Sequence, residues 1–159
     1  MSDGTLAARI LLAAGLGMAI GIERELRDHW AGMRTHILVS VGACLFTLMS
    51  AIGFKTFLGG DPGSAANADV TRIASQVVVG IGFIGGGTIL REGANVRGLT
   101  TAATLWVTAA IGLAAAAGAY FVATLTTVVA VVTLAGFKPL ERWIASKGKR
   151  PIRRTEDEA

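Results

Sequence analysis

Apolar residues recur along this chain in blocks too long for the stripe of a soluble helix or the alternation of a half-buried strand. Asp, Glu, Lys and Arg are absent from residues 35–54, 73–90 and 98–137. The last block alone is long enough to cross a bilayer twice, at about 20 residues per crossing. The breaks between blocks predict five spans, over about 6–22, 37–58, 73–90, 99–117 and 120–137. The long block divides at Gly118, because one helix over all of 98–137 would be about 60 Å long and glycine accepts a turn. The expected fold class is therefore an all-α membrane protein, a bundle of five transmembrane helices. Residues 1–137 make its membrane domain and residues 138–159 a basic tail. An odd number of crossings puts the two termini on opposite sides.

Composition agrees with that class. The chain has 159 residues, 52% hydrophobic and 16% charged, against about 25% charged in an ordinary soluble domain. One Cys and three Pro exclude a disulfide scaffold and collagen-like sequence. The first apolar segment reads as a retained helix, not a cleaved leader. Asp3 offsets Arg9, and the segment runs into Glu23-Arg24-Glu25 without a small-x-small cleavage site.

Charge placement then orients the bundle, since basic residues stay on the cytoplasmic side. The connections 23–36 and 91–98 and the tail after Phe137 hold all of the Lys and Arg except Arg9, Lys55 and Arg72. The N-terminus is predicted outside and the C-terminus in the cytoplasm. The sequence pI of about 9.8 reflects topology and attraction to the bilayer, the expected partner, and not nucleic-acid binding. In the tail, Leu140, Trp143 and Ile144 share one helical face among Lys138, Arg142 and Lys147, the pattern of a short amphipathic segment on the inner leaflet. Beyond Gly148 the sequence reads as a solvated tail.

Candidate chemistry is sparse. Gly80-x-Gly82-x-x-Gly85 matches a dinucleotide fingerprint, but it has no strand before it and no acidic residue about 20 positions on. His29 and His36 lack further ligands at metal spacing, Cys44 lies mid-span as a small apolar filler, and no catalytic set is present. Neither cofactor nor enzyme activity is expected, and no metal site is identified. The glycines Gly17-x-x-x-Gly21 and Gly82-x-x-x-Gly86 have the spacing of close helix contacts and predict a homodimer. An alternative for Gly85, Gly86 and Gly87 is a broken third helix whose freed carbonyls face a cavity.

Polar residues gather at the membrane boundaries. Glu23, Arg24, Glu25, Arg34, Thr35, His36, Arg91, Glu92 and Arg97 fall on the cytoplasmic face. Asp69, Arg72 and Gln76 fall near the opposite face, and Thr100, Thr101, Thr104 and Thr108 stripe the fourth span. Two readings stand side by side. These groups form interfacial salt bridges worth about 0–1 kcal/mol each, or they form a regulatory surface or the mouth of an ion route.

Four stretches then carry a resemblance: Gly21-Ile-Glu-Arg-Glu25, Ala31-Gly-Met-Arg-Thr-His36, Arg72-Ile-Ala-Ser-Gln-Val-Val-Val-Gly-Ile-Gly-Phe-Ile-Gly85 and Val96-Arg-Gly-Leu-Thr-Thr-Ala-Ala-Thr-Leu-Trp-Val-Thr-Ala-Ala-Ile-Gly112. Together they resemble the MgtC/SapB family of bacterial membrane proteins, over about residues 10–120. The resemblance implies an inner-membrane protein linked to magnesium homeostasis and growth in low magnesium, and in some pathogens to virulence. It implies action by modulating membrane partners such as the ATP synthase, and it maps the family motifs onto Glu23, Arg24, Glu25, Arg34, Thr35, His36, Arg72, Gln76, Arg97, Thr100, Thr101, Thr104 and Trp106. An oligomeric channel or carrier for magnesium or protons is the alternative. Longer members carry a soluble C-terminal domain, so the resemblance is to a short form. Gly86 stands where the family often has Ala.

Overall fold

The structure, a computed structural model, describes residues 1–57 and 70–148. Within them the order is α1 (Asp3–Glu25), α2 (Met33–Phe57), α3 (Val70–Gly87), β1 (Leu90–Glu92), β2 (Asn95–Arg97), α4 (Leu99–Ala117) and α5 (Tyr120–Gly148). Among the described residues, four stretches are long and apolar enough to cross a membrane: Asp3–Glu25, Met33–Ile52, Leu99–Ala117 and Tyr120–Phe137. The apolar part of α3, Ser75–Gly87, is shorter. Outward-facing side chains are large and apolar, with Phe83 87% and Phe121 78% exposed, as lipid contact requires and water does not favour.

The fourth span has the bounds its pattern predicts, and Gly118 ends it in the left-handed region at φ 81°. The third span differs. Its apolar pattern runs to residue 90, yet α3 stops at Gly87, where Thr88 folds back and its N–H and hydroxyl both donate to the Gly85 carbonyl. Three successive glycines propagate a helix poorly. The helix nevertheless passes through Gly85 and Gly86 unbroken and simply ends after them. Residues 90–97 then form an antiparallel hairpin in place of an irregular loop, with Leu90 paired to Arg97 and Glu92 to Asn95. Gly93, at φ 63°, takes the first position of the two-residue turn, a conformation that glycine adopts without strain.

The segment after Phe137 also differs from a separate surface helix, because α5 continues without interruption to Gly148. Pro139 lies inside this continuation and has no N–H to give the carbonyl four residues back. That carbonyl, of Ala135, accepts a hydrogen bond from Arg27 Nη2 at 3.3 Å. The tail beyond Gly148 lies outside the described residues.

Helix α4 is the centre of the bundle. It packs against all four other helices, and half of its span is buried against 11% for α5. Helix α2 lies between α1 and α4 at backbone distance. A Cβ on Gly17 would stand 2.7 Å from the His36 carbonyl oxygen, one on Gly21 would stand 2.5 Å from Met33 Cα, and one on Gly112 would overlap the Ser40 carbonyl. The Gly17-x-x-x-Gly21 spacing is thus used inside one chain. Gly82 and Gly86 meet nothing within 4 Å, and only Gly85 of that run packs, on Ala102. At the end where α1 begins, Arg9 Nε donates to Tyr120 Oη at 3.1 Å and Nη1 donates to the Ala116 carbonyl, joining α1 to the α4–α5 turn. At the other end Arg27 joins α1 to α5, so α1 starts and α5 finishes at opposite ends.

Gly112→Val and Gly17→Leu are expected to destabilise the bundle by more than the ~1–3 kcal/mol typical of overpacking, because backbone and not a flexible side chain blocks the space. Gly82→Leu is expected to be tolerated. Thermal unfolding and monodispersity of the detergent-solubilised variants check the contrast.

Candidate functional site

The C-terminal turn of α1 carries Glu23 and Arg24 into the protein interior, at 8% and 2% exposure. Helical spacing places them on the side that faces α2 and α4, since Ile20 and Gly21 one turn earlier are buried as well. Both Nε and Nη2 of Arg24 stand 2.5 Å from Glu23 Oε2. Arg27, one turn on, brings Nε to 2.6 Å from Glu23 Oε1, an ion pair without hydrogen-bond alignment. One carboxylate thus lies between two guanidiniums. Such a buried group is held by its partners, because an unpaired charge there is costly.

The chain then turns sharply, with Asp28 in the left-handed region at φ 54°. Glu25 is exposed at this turn and its Oε2 accepts the N–H of Met33 at 2.8 Å. It caps the first orphan donor of α2 and places negative charge at that helix's positive end. One turn into α2, His36 is fully buried and Nδ1 lies 2.9 Å from the Gly32 carbonyl. A carbonyl only accepts, so the proton is on Nδ1, and in the neutral ring Nε2 presents a lone pair to the core. Arg24 and Glu23 are both close enough to act electrostatically on this imidazole. Ser40, four residues on and fully buried, lies against Gly17 and Gly112. Neither His36 Nε2 nor Ser40 Oγ has a hydrogen-bond partner among the described residues.

From α4, Thr101, Thr104 and Thr108 are buried. Thr104 donates to the Thr101 carbonyl at 2.8 Å and Thr108 to the Thr104 carbonyl at 2.7 Å. These hydroxyls bond to their own helix, the behaviour expected of threonine in apolar surroundings. Further along, an apolar cluster of Ala13, Cys44, Leu48, Ala115 and Ala116 fills the interior toward the Arg9 end.

The structure therefore gathers Glu23, Arg24, Glu25 and His36, but leaves other candidates apart. Arg91, Glu92 and Arg97 are exposed on the hairpin, where Arg97 and Glu92 approach only to 3.8 Å and Arg91 Nε donates to the Gly93 carbonyl. Arg72, Gln76 and Thr100 are exposed, as is Trp106. Asp69 lies outside the described residues. Arg34 and Thr35 line a separate groove between α2 and α3. No group of three or more His, Cys, Asp or Glu able to hold a metal occurs among the described residues. Sequence reasoning missed three contributors. Ser40 has only its i,i+4 spacing from His36 to announce it, while Gly112 and Arg9 find their partners more than 70 residues away in the chain.

The MgtC family profile matches residues 10–143, a range that includes Glu23, Arg24, His36, Ser40 and Gly112. The chain belongs to the MgtC family. Among its relatives, the Escherichia coli (strain K12) protein named "Putative magnesium transporter YhiD" is 45% identical over 132 residues, 83% of this chain and 60% of that protein. Protein MgtC of Brucella abortus (strain 2308) is 45% identical over 125 residues, 79% of this chain and 48% of that protein. A Synechocystis relative, slr0014, is 39% identical over 148 residues, 93% of this chain and 57% of its own. The chain spans less than two thirds of the length of these curated relatives. No solved structure matches it. With the apolar helices, MgtC-family membership makes this a multi-pass membrane protein.

Removing Arg24 is expected to cost up to about 3–5 kcal/mol, because the buried Glu23 keeps only Arg27 of its two cations and its Oε2 loses its donors. Arg24→Met should therefore lower the thermal midpoint strongly, and Arg97→Gln, on an exposed pair, should leave it within the roughly 0–1 kcal/mol of a surface ion pair. Equal effects would contradict the structural distinction between the two.

Proposed function

We propose that this MgtC-family protein is a non-enzymatic modulator of membrane partners, linked to magnesium homeostasis and stress adaptation. One observation carries the reading. The polar cluster of Glu23, Arg24, His36 and Ser40 occupies one end of the bundle, and the apolar cluster of Ala13, Cys44, Leu48, Ala115 and Ala116 closes the core beyond it. An ion at the level of Ala13, Cys44, Leu48, Ala115 and Ala116 would shed its hydration against the apolar side chains of that cluster, at a cost of many kcal/mol. The magnesium link comes from the names of relatives, the Escherichia coli protein above all.

In this reading the chain crosses the bacterial inner membrane five times with its N-terminus outside. The basic residues concentrate in the connection after α1, on the hairpin and in the stretch after Phe137, and those segments face the cytoplasm. Partner contact is made helix to helix, through self-association as a homodimer and through a larger membrane complex such as the ATP synthase. Supporting this, a Cβ added at Gly82 or Gly86 meets no described residue within 4 Å, which leaves room for a partner helix to approach. The alternative, an oligomeric channel or carrier, draws on the orphaned His36 Nε2 and Ser40 Oγ.

Reconstitution into liposomes holding a magnesium dye or a pH dye separates the two. The expected result is no flux above empty vesicles. Flux that Glu23→Gln abolishes would overturn the modulator reading and make the buried cluster part of an ion route.

A further inference from the structure

A cavity of about 790 Å³ opens between α2 and α3, floored by Ala43 and by Ala109 of α4. It is distinct from the buried polar cluster and lies on another side of α3 from Gly82 and Gly86. At 100° per residue, Gln76, Gly80 and Ile84 share the groove face, and Gly82 and Gly86 point away from it. The walls are apolar except at the ends. Arg34 stands at one end, and Phe46, on α2 opposite Gln76, at the other.

Two features identify the occupant. The first is length. From Arg34 to Phe46 along α2 the groove extends about 18 Å at 1.5 Å per residue, close to the roughly 15 Å of hydrocarbon in one leaflet. The second is charge. Arg34 is exposed and has no hydrogen bond or ion pair among the described residues, unlike Arg9, Arg24, Arg27 and Arg97. A free guanidinium at membrane-boundary level, above an apolar channel one leaflet deep, has the complementarity of a phosphate joined to an acyl chain.

We propose that the α2–α3 groove is a binding site for one anionic phospholipid of the leaflet at the Arg34 end, its phosphate on Arg34 and one acyl chain running toward Phe46. A protein helix is the competing occupant, but nothing in such a helix would call for a free cation at one end only. The site does not rest on the modulator reading and would hold for a carrier as well.

Native mass spectrometry of delipidated protein in neutral detergent tests it, with phosphatidylglycerol and phosphatidylcholine of the same acyl chains as probes. One phosphatidylglycerol should bind about tenfold more tightly than phosphatidylcholine, because both offer Arg34 a phosphate but the choline cation offsets its charge and repels the guanidinium. Arg34→Gln should bring the two lipids to equal affinity, and Arg34→Lys should restore part of the difference. Gly42→Leu and Gly80→Leu should weaken both lipids while leaving the thermal midpoint unchanged, since a Cβ at either position meets nothing within 4 Å. Equal binding of the two lipids by the unmodified protein, or an Arg34→Gln variant that keeps the preference, would overturn the proposal. A second copy of the chain bound in place of lipid and lost on Gly80→Leu would overturn it too, by giving the groove to a helix.

Discussion

The close approach of α2 to α1 and α4 is the contact on which the rest of the bundle depends. Gly17, Gly21 and Gly112 let the α2 backbone lie where any side chain would collide with the carbonyls of His36 and Ser40 or with Met33 Cα. In lipid, apolar helices gain little from hiding apolar surface, since the surrounding tails are equally apolar, so close packing and polar bonds must supply the adhesion. Glycine costs helix propensity in exchange for that proximity. The exchange is favourable here because three such positions act on one helix from two sides.

The same proximity creates the chemistry. With α2 drawn against α1, His36 and Ser40 enter the core beside Glu23 and Arg24, and the short turn through Asp28 leaves Glu25 within reach of the Met33 N–H. The cluster is thus a by-product of helix packing that then needs its own internal compensation. Glu23 balances two guanidiniums, and the α4 threonines answer their own carbonyls. Among the described residues, His36 Nε2 and Ser40 Oγ have no hydrogen-bond partner, and Glu23 Oε1 has an ion pair but no aligned hydrogen bond. In apolar surroundings His36 Nε2 and Ser40 Oγ are both atoms able to accept a hydrogen bond.

At both ends, single arginines act as fasteners between helices distant in sequence. Arg9 reaches the Ala116 carbonyl at the C-terminus of α4, where the helix dipole is negative. Arg27 takes the Ala135 carbonyl that Pro139 leaves without its usual donor. The second case explains how α5 carries a proline inside a continuous helix: the freed acceptor is satisfied from α1.

By itself the sequence determined where the helices are and what surrounds them. Long uncharged blocks can satisfy their backbone in lipid only as helices, so α4 matches its predicted bounds and Gly118 ends it. The family was legible as well, in the ordered motifs from Gly21 to Gly112. Helix ends were less legible, because the glycines of 85–87 are small enough to read as span, and residues 90–97 mix apolar and charged side chains that read as a loop until backbone pairing makes a hairpin of them. Tertiary structure alone decided which polar residues meet. Arg91, Glu92 and Arg97 share with Glu23 and Arg24 the same boundary pattern, yet one set is exposed on the hairpin and the other buried in the core. Spacing along a helix tells which residues share a face, but the identity of the opposing face comes only from how the helices cross, and here that was set by three glycines whose partners lie elsewhere in the chain.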